Sequence, residues 1–147
     1  MEERKIDMAT LLGTPYERGK SDTIVSRYVD APIEEGLIVA DEGNNKVAVY
    51  AEGKTPYGVM GQNEIVGASV VLTGLRVWVQ ASEDCEPVVG AQVFVNNAGK
   101  VTSVADANTG VKAEFASTEV KTNGLVNNTP AKATNRRCVL INFVGGF

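Results

Sequence analysis

From Ser21 onward, apolar and polar side chains alternate with a period of two. The segments DTIVSRYVD, EGLIVAD and KVAVYAE place branched or aromatic residues at every second position, as strands with one buried face do. ASVVLTG, GLRVWVQ, AQVFVNN, KVTSVA, GVKAEFAS and RRCVLINFV continue the pattern, so about nine strands are predicted. Turn residues separate them at the intervals of a sandwich or barrel. LIVADEGNNKVAVY reads as a hairpin turning through residues 41–45, NNAGK as a second turn, and Asn123-Gly124 as a hairpin signal in KTNGLV. No helical period of ten residues lies between the strands, which argues against strand–helix–strand units. The expected fold class is all-β, an antiparallel β-sandwich or jelly-roll-like barrel.

The start of the chain follows a different pattern. In MEERKIDMATLLG, Met1, Ile6, Met8, Leu11 and Leu12 are spaced for one or two amphipathic helical turns ended by Gly13 and Thr14-Pro15. GTPYERGKSD then reads as linker. The chain thus divides into an N-terminal arm, residues 1–22, and a β domain, residues 23–147. So short a helix is marginal in water, which predicts that the arm orders on a neighbouring subunit. Ile6, Leu11, Leu12 and Tyr16 are its candidate anchors, with Arg18 beside them.

Within the strands, two aromatic side chains fall on the polar phase. Val77 and Val79 face opposite to Arg76, Trp78 and Gln80, and Val93 and Val95 opposite to Gln92, Phe94 and Asn96. Either the second sheet face is covered by the arm or a loop, or Trp78 and Phe94, with Arg76, sit in a subunit interface. The two readings merge if the covering arm comes from another subunit.

Composition narrows the chemistry. The 147 residues include no histidine, which excludes Ser-His-Asp and Cys-His catalysis and the usual catalytic zinc sites. Acidic residues cluster as Glu34-Glu35, Asp41-Glu42 and Glu83-Asp84-Glu86, but each run lies in an expected turn and none has the spacing of a calcium loop. GVMGQNEIVG lacks the Lys-Ser/Thr of a phosphate cradle. No catalytic, cofactor-binding or metal-binding residue is assigned, and no enzyme is expected. With a net charge of −4 and Arg136-Arg137 as the densest basic run, nucleic acid is a poor partner. That basic pair fits edge-strand protection or pairing with an acidic partner. No apolar run is long enough to span a bilayer or to serve as a signal peptide, so a protein that is neither membrane-bound nor exported by a signal is expected. Cys85 and Cys138 are expected as free thiols.

Three stretches, SDTIVSRYVDAPIEEGLIVADEGNNKVAVYA, EPVVGAQVFVNNAGKVTSV and RRCVLINFVGGF, resemble the structural cement, or head decoration, proteins of tailed bacteriophages. The similarity runs through an APIxxGxxV turn over Ala31–Val39, a VGAxVxV…GKxT hairpin over Val89–Thr102 and the closing apolar strand, Cys138–Val144. It implies a protein of the outer capsid surface that bridges and stabilises capsomers after expansion. Its partners would be the major capsid protein and itself, as a homo-oligomer with a trimer favoured over a dimer. The competing expectation is a carbohydrate-binding β-sandwich module on a virion or cell surface, with Trp78 stacking on a sugar. An enzyme working through carboxylates alone has the least support.

Overall fold

The computed structural model describes residues 10–13, 24–61, 69–72, 76–127 and 133–143. Eleven strands run through them: β1 Thr10–Leu11, β2 Ile24–Arg27, β3 Ile38–Gly43, β4 Lys46–Val49, β5 Pro56–Met60, β6 Ser69–Leu72, β7 Arg76–Gln80, β8 Gln92–Val95, β9 Val101–Thr102, β10 Thr109–Val126 and β11 Ala133–Phe143. They form two sheets, ordered β7-β11-β10-β8-β9 with β1 added to β10, and β2-β6-β5-β3-β4. Every pairing between neighbouring strands is antiparallel except that of β1 with β10, so the chain has the all-β architecture its alternation predicts.

The main core lies between the sheets. Ile38, Ala40, Tyr50 and Val59 from one side meet Val77, Val79, Val93, Val95, Val111, Phe115, Val139 and Ile141 from the other. Both sheets also bury side chains on their second faces, which explains runs that are apolar without alternation. In β3, Val39 faces away from Ile38 and Ala40 and packs with Ile33, Leu37, Val47 and Met60. On the outer face of the other sheet, Leu12, Val126 and Cys138 form a third cluster, with Trp78 packed against it.

The hairpin expected at residues 41–45 is the β3–β4 pair, turning through Asn44 and Asn45 at φ 53° and 61°. NNAGK is the β8–β9 turn. Asn123-Gly124, in contrast, makes no turn. β10 runs unbroken for 18 residues, and Gly124 lies inside it, opposite Arg136 on one side and Thr10 on the other. A Cβ on Gly124 would stand 2.7 Å from the Arg136 carbonyl oxygen and 2.9 Å from Leu12 Cδ1. The glycine permits close approach rather than a bend. β5 is not among the expected strands, because Pro56 and Gly58 interrupt its alternation.

The expected helical turns of the arm are corrected where the structure describes them. Thr10 and Leu11 are strand, paired in parallel with Gly124 and Leu125, and Leu12-Gly13 is a turn. Ile6, Tyr16, Arg18 and the expected boundary after residue 22 lie outside the described residues.

Candidate functional site

The described part of the arm is built into its own domain. Leu12 has no solvent exposure and sits against Val126, Cys138 and Trp78. The Gly13 amide donates to the Trp78 carbonyl at 3.0 Å, so residues 10–13 join β10 to the outer edge of β7 and enclose the third cluster. Gly13 is held at φ 66°, and a Cβ there would run into the Met60 carbonyl oxygen. Leu12 is therefore corrected from a neighbour's anchor to a core residue of this chain. The sequence signal was its apolar type, and what hid its destination was a partner strand at the far end of the chain.

The same packing answers the question of Trp78. Its half-buried ring lies against the Leu12 cluster, with the Lys121 ammonium 4.8 Å from the ring centroid. The sheet face is covered by this chain's own arm, and a ring occupied in this way is a poor platform for a sugar. Phe94 is half-buried opposite Thr102 and Gly110, and Arg76 is exposed at the start of β7.

Beside this cluster the turn before β3 brings two carboxylates inward. Glu35 is fully buried, and its oxygens accept from the Asn127 amide at 3.0 and 2.9 Å. Glu34 accepts from Arg136 Nε at 3.0 Å and Nη2 at 2.9 Å, a bidentate pair, and from Gln80 Nε2 at 2.9 Å. The Arg136 hydrogen bonds hold the Glu34 carboxyl below the usual carboxylate range, against the opposing effect of burial. Arg137 donates through Nε and Nη2 to the carbonyls of Ser82 and Cys85. The basic pair is thus engaged within the chain. Glu34, Gln80, Lys100, Arg136 and Arg137 line an open cleft of ≈490 Å³, into which Ser82 and Glu83 also turn. Gln80 is buried, and its Oε1 is the buried side-chain atom without a hydrogen-bond partner among the described residues.

Arg137 also fixes the loop after β7, together with two further bonds. The Glu86 amide donates to Ser103 Oγ and the Gly90 amide to the Phe115 carbonyl, each at 2.9 Å. Asp84 accepts from Ser82 Oγ and from Thr102 Oγ1, which lowers its carboxyl below the ordinary value. This anchored loop presents Val88 and Val89 at 61% and 62% exposure, with Val104 also exposed after β9. Alternation does not single out these valines, because they lie outside any strand.

Cys85 and Cys138 are both buried free thiols, as expected. Burial pushes each up to about 11. Among the described residues, no three His, Cys, Asp or Glu side chains converge as metal ligands, and no helix is long and apolar enough to cross a membrane.

Comparison with protein-family models and with curated proteins gives no match. Among solved structures, a chain from the capsid of Myoviridae phage XM1 superposes with a TM-score of 0.70 and 15% sequence identity, over 96% of this chain and 94% of that one. The likeness extends over nearly the whole of both chains, and at this identity it establishes a shared fold.

Proposed function

We propose that this chain is a structural protein of a tailed-phage capsid that binds the outer surface of the assembled shell and stabilises neighbouring capsomers after expansion. The observation that carries the proposal is the full-length match in fold to a chain of a phage capsid. The cement-protein resemblance of Ala31–Val39 and Val89–Thr102 supports the finer role. These stretches form the turn into β3 and the β8–β9 hairpin.

The side chains that would otherwise suggest chemistry make structural bonds here: Glu34 with Arg136, Arg137 with two carbonyls, Asp84 with two hydroxyls. The proposal is accordingly non-enzymatic. The capsid contact is assigned to the loop bearing Val88 and Val89. Its two valines are apolar and exposed, and the loop is held in place before a partner arrives, so little ordering entropy opposes docking. Arg76, Tyr16 and Arg18 are the further contact residues proposed. Repetition over many symmetry-related sites lets modest individual contacts reinforce a shell, and a trimer fits threefold positions better than a dimer does.

The test is co-sedimentation of the purified chain with mature heads and with unexpanded procapsids of the encoding phage. Stoichiometric binding to mature heads alone is expected. No binding to either particle would overturn the proposal.

A further inference from the structure

The loop after β7 runs beside β9 and the segment that follows it. The Ser82 amide donates to the Val101 carbonyl, Thr102 Oγ1 to Asp84 Oδ1 and the Glu86 amide to Ser103 Oγ, at 2.9, 2.8 and 2.9 Å. The two stretches, residues 82–91 and 101–109, therefore lie side by side, with Val88, Val89 and Val104 as their exposed large apolar side chains.

The same two stretches expose Glu83, Asp84, Glu86 and Asp106, and neither contains a lysine or an arginine. These four carboxylates account for the whole net charge of −4, since of the chain's 18 acidic side chains the other 14 are matched in number by its 14 basic ones. Elsewhere acids find cations within the chain: Asp30 meets Lys46, Glu42 meets Lys54 and Glu34 meets Arg136. On this face Asp84 is held by two hydroxyls, while Glu83, Glu86 and Asp106 make no ion pair among the described residues. Arg137, the cation bonded to the loop, reaches its backbone carbonyls rather than these carboxylates. Among the described residues no three acidic side chains converge as metal ligands, so the negative charge faces outward over an area of surface. An apolar centre with a charged border of one sign is complementary to an apolar seat bordered by the opposite sign.

We propose that the capsid surface on which this loop docks is basic: an apolar seat for Val88 and Val89, bordered by lysine or arginine side chains that face Glu83, Glu86 and Asp106. The inference rests on the assignment of the capsid contact to this loop. Border charges of this kind steer encounter and fix orientation, and dissolved salt screens them.

The test is the affinity of the full-length chain for mature heads of the encoding phage, by co-sedimentation at ionic strengths of about 0.05 M and about 0.5 M. The unmodified chain is expected to bind at least ~10-fold more weakly at the higher salt. Binding that does not weaken with salt would overturn the proposal without recourse to any variant. Glu86→Lys with Asp106→Lys reverses two border charges and is expected to weaken binding at least ~10-fold at the lower salt. Glu52→Lys with Glu119→Lys changes the net charge equally at two other exposed positions and is expected to stay within about 2-fold of the unmodified chain. Equal binding by the two double variants would overturn the proposal. Val88→Asp with Val89→Asp separates it from the assignment beneath it. Loss of binding there, with full binding by Glu86→Lys/Asp106→Lys, would keep the contact and remove only the basic partner. Full binding by the valine variant would remove the contact and the proposal together.

Discussion

Leu12 fills the space that a side chain on Gly124 would need. Its Cδ1 lies 2.9 Å from where that Cβ would stand, and the two residues meet in the wall of the small cluster that also holds Val126 and Cys138. Truncating a fully buried leucine removes transfer free energy and leaves a cavity, so Leu12→Ala is expected to cost about 2–5 kcal/mol in urea unfolding. Removing residues 1–13 should cost at least as much. A truncated domain as stable as the full chain would show that the segment contributes nothing to the fold. Gly124→Ala is expected to be destabilising by overpacking, with about 1–3 kcal/mol lost.

The Glu34–Arg136 pair predicts a particular pH dependence. The folded Glu34 carboxyl titrates below its unfolded value, so its contribution is complete above the ordinary carboxylate range and is lost as pH falls through the folded value. Side-chain exposures of 26% and 30% place the pair between surface and buried behaviour, and Arg136→Ala should cost about 1–2 kcal/mol at pH 7. That difference from the wild-type chain should shrink as pH falls toward 3. Asp84, also lowered, is common to both proteins and cancels from the comparison. A difference unchanged between the two pH values would mean that Arg136 acts by packing alone.

Both thiols should be silent in the folded chain. With each pushed up to about 11 and buried, the thiolate fraction at pH 8 is small and inaccessible. Labelling with Ellman's reagent is expected to proceed only as fast as the protein unfolds. Rapid labelling of one thiol under native conditions would reveal local opening, of the loop after β7 if Cys85 reacts or of the Leu12 cluster if Cys138 does.

Replacing Val88 and Val89 by Asp probes the proposed capsid contact without touching a core. Both side chains are exposed, so thermal unfolding should shift by less than about 0.5 kcal/mol. Copies bound per mature head should fall at least ~10-fold. Undiminished binding would move the contact to another surface.

The strands were legible where alternation reports one buried face, as in β7 and β8, whereas β3 buries Ile38, Val39 and Ala40 in succession and was legible from its apolar run. β5 escaped because Pro56 and Gly58 supply no side-chain pattern, its pairing with β3 and β6 being a property of the assembled sheet. Asn123-Gly124 misled for the opposite reason. The dipeptide favours a turn locally, yet β11 on one side and β1 on the other hold the backbone extended. The placement of Arg136 and Arg137 was not legible at all. Their partners, Glu34 and the carbonyls of Ser82 and Cys85, are distant in sequence and only the topology brings them close.

The pairing of Thr10 with Gly124 also orders events on the ribosome. Leu12 is made well before the strands that enclose it. At roughly 5–20 residues per second, synthesis leaves Leu12 without its cavity for some seconds to tens of seconds. The small cluster therefore closes only after β10 and β11 have both emerged. During that interval the nascent chain carries Leu12 unclaimed.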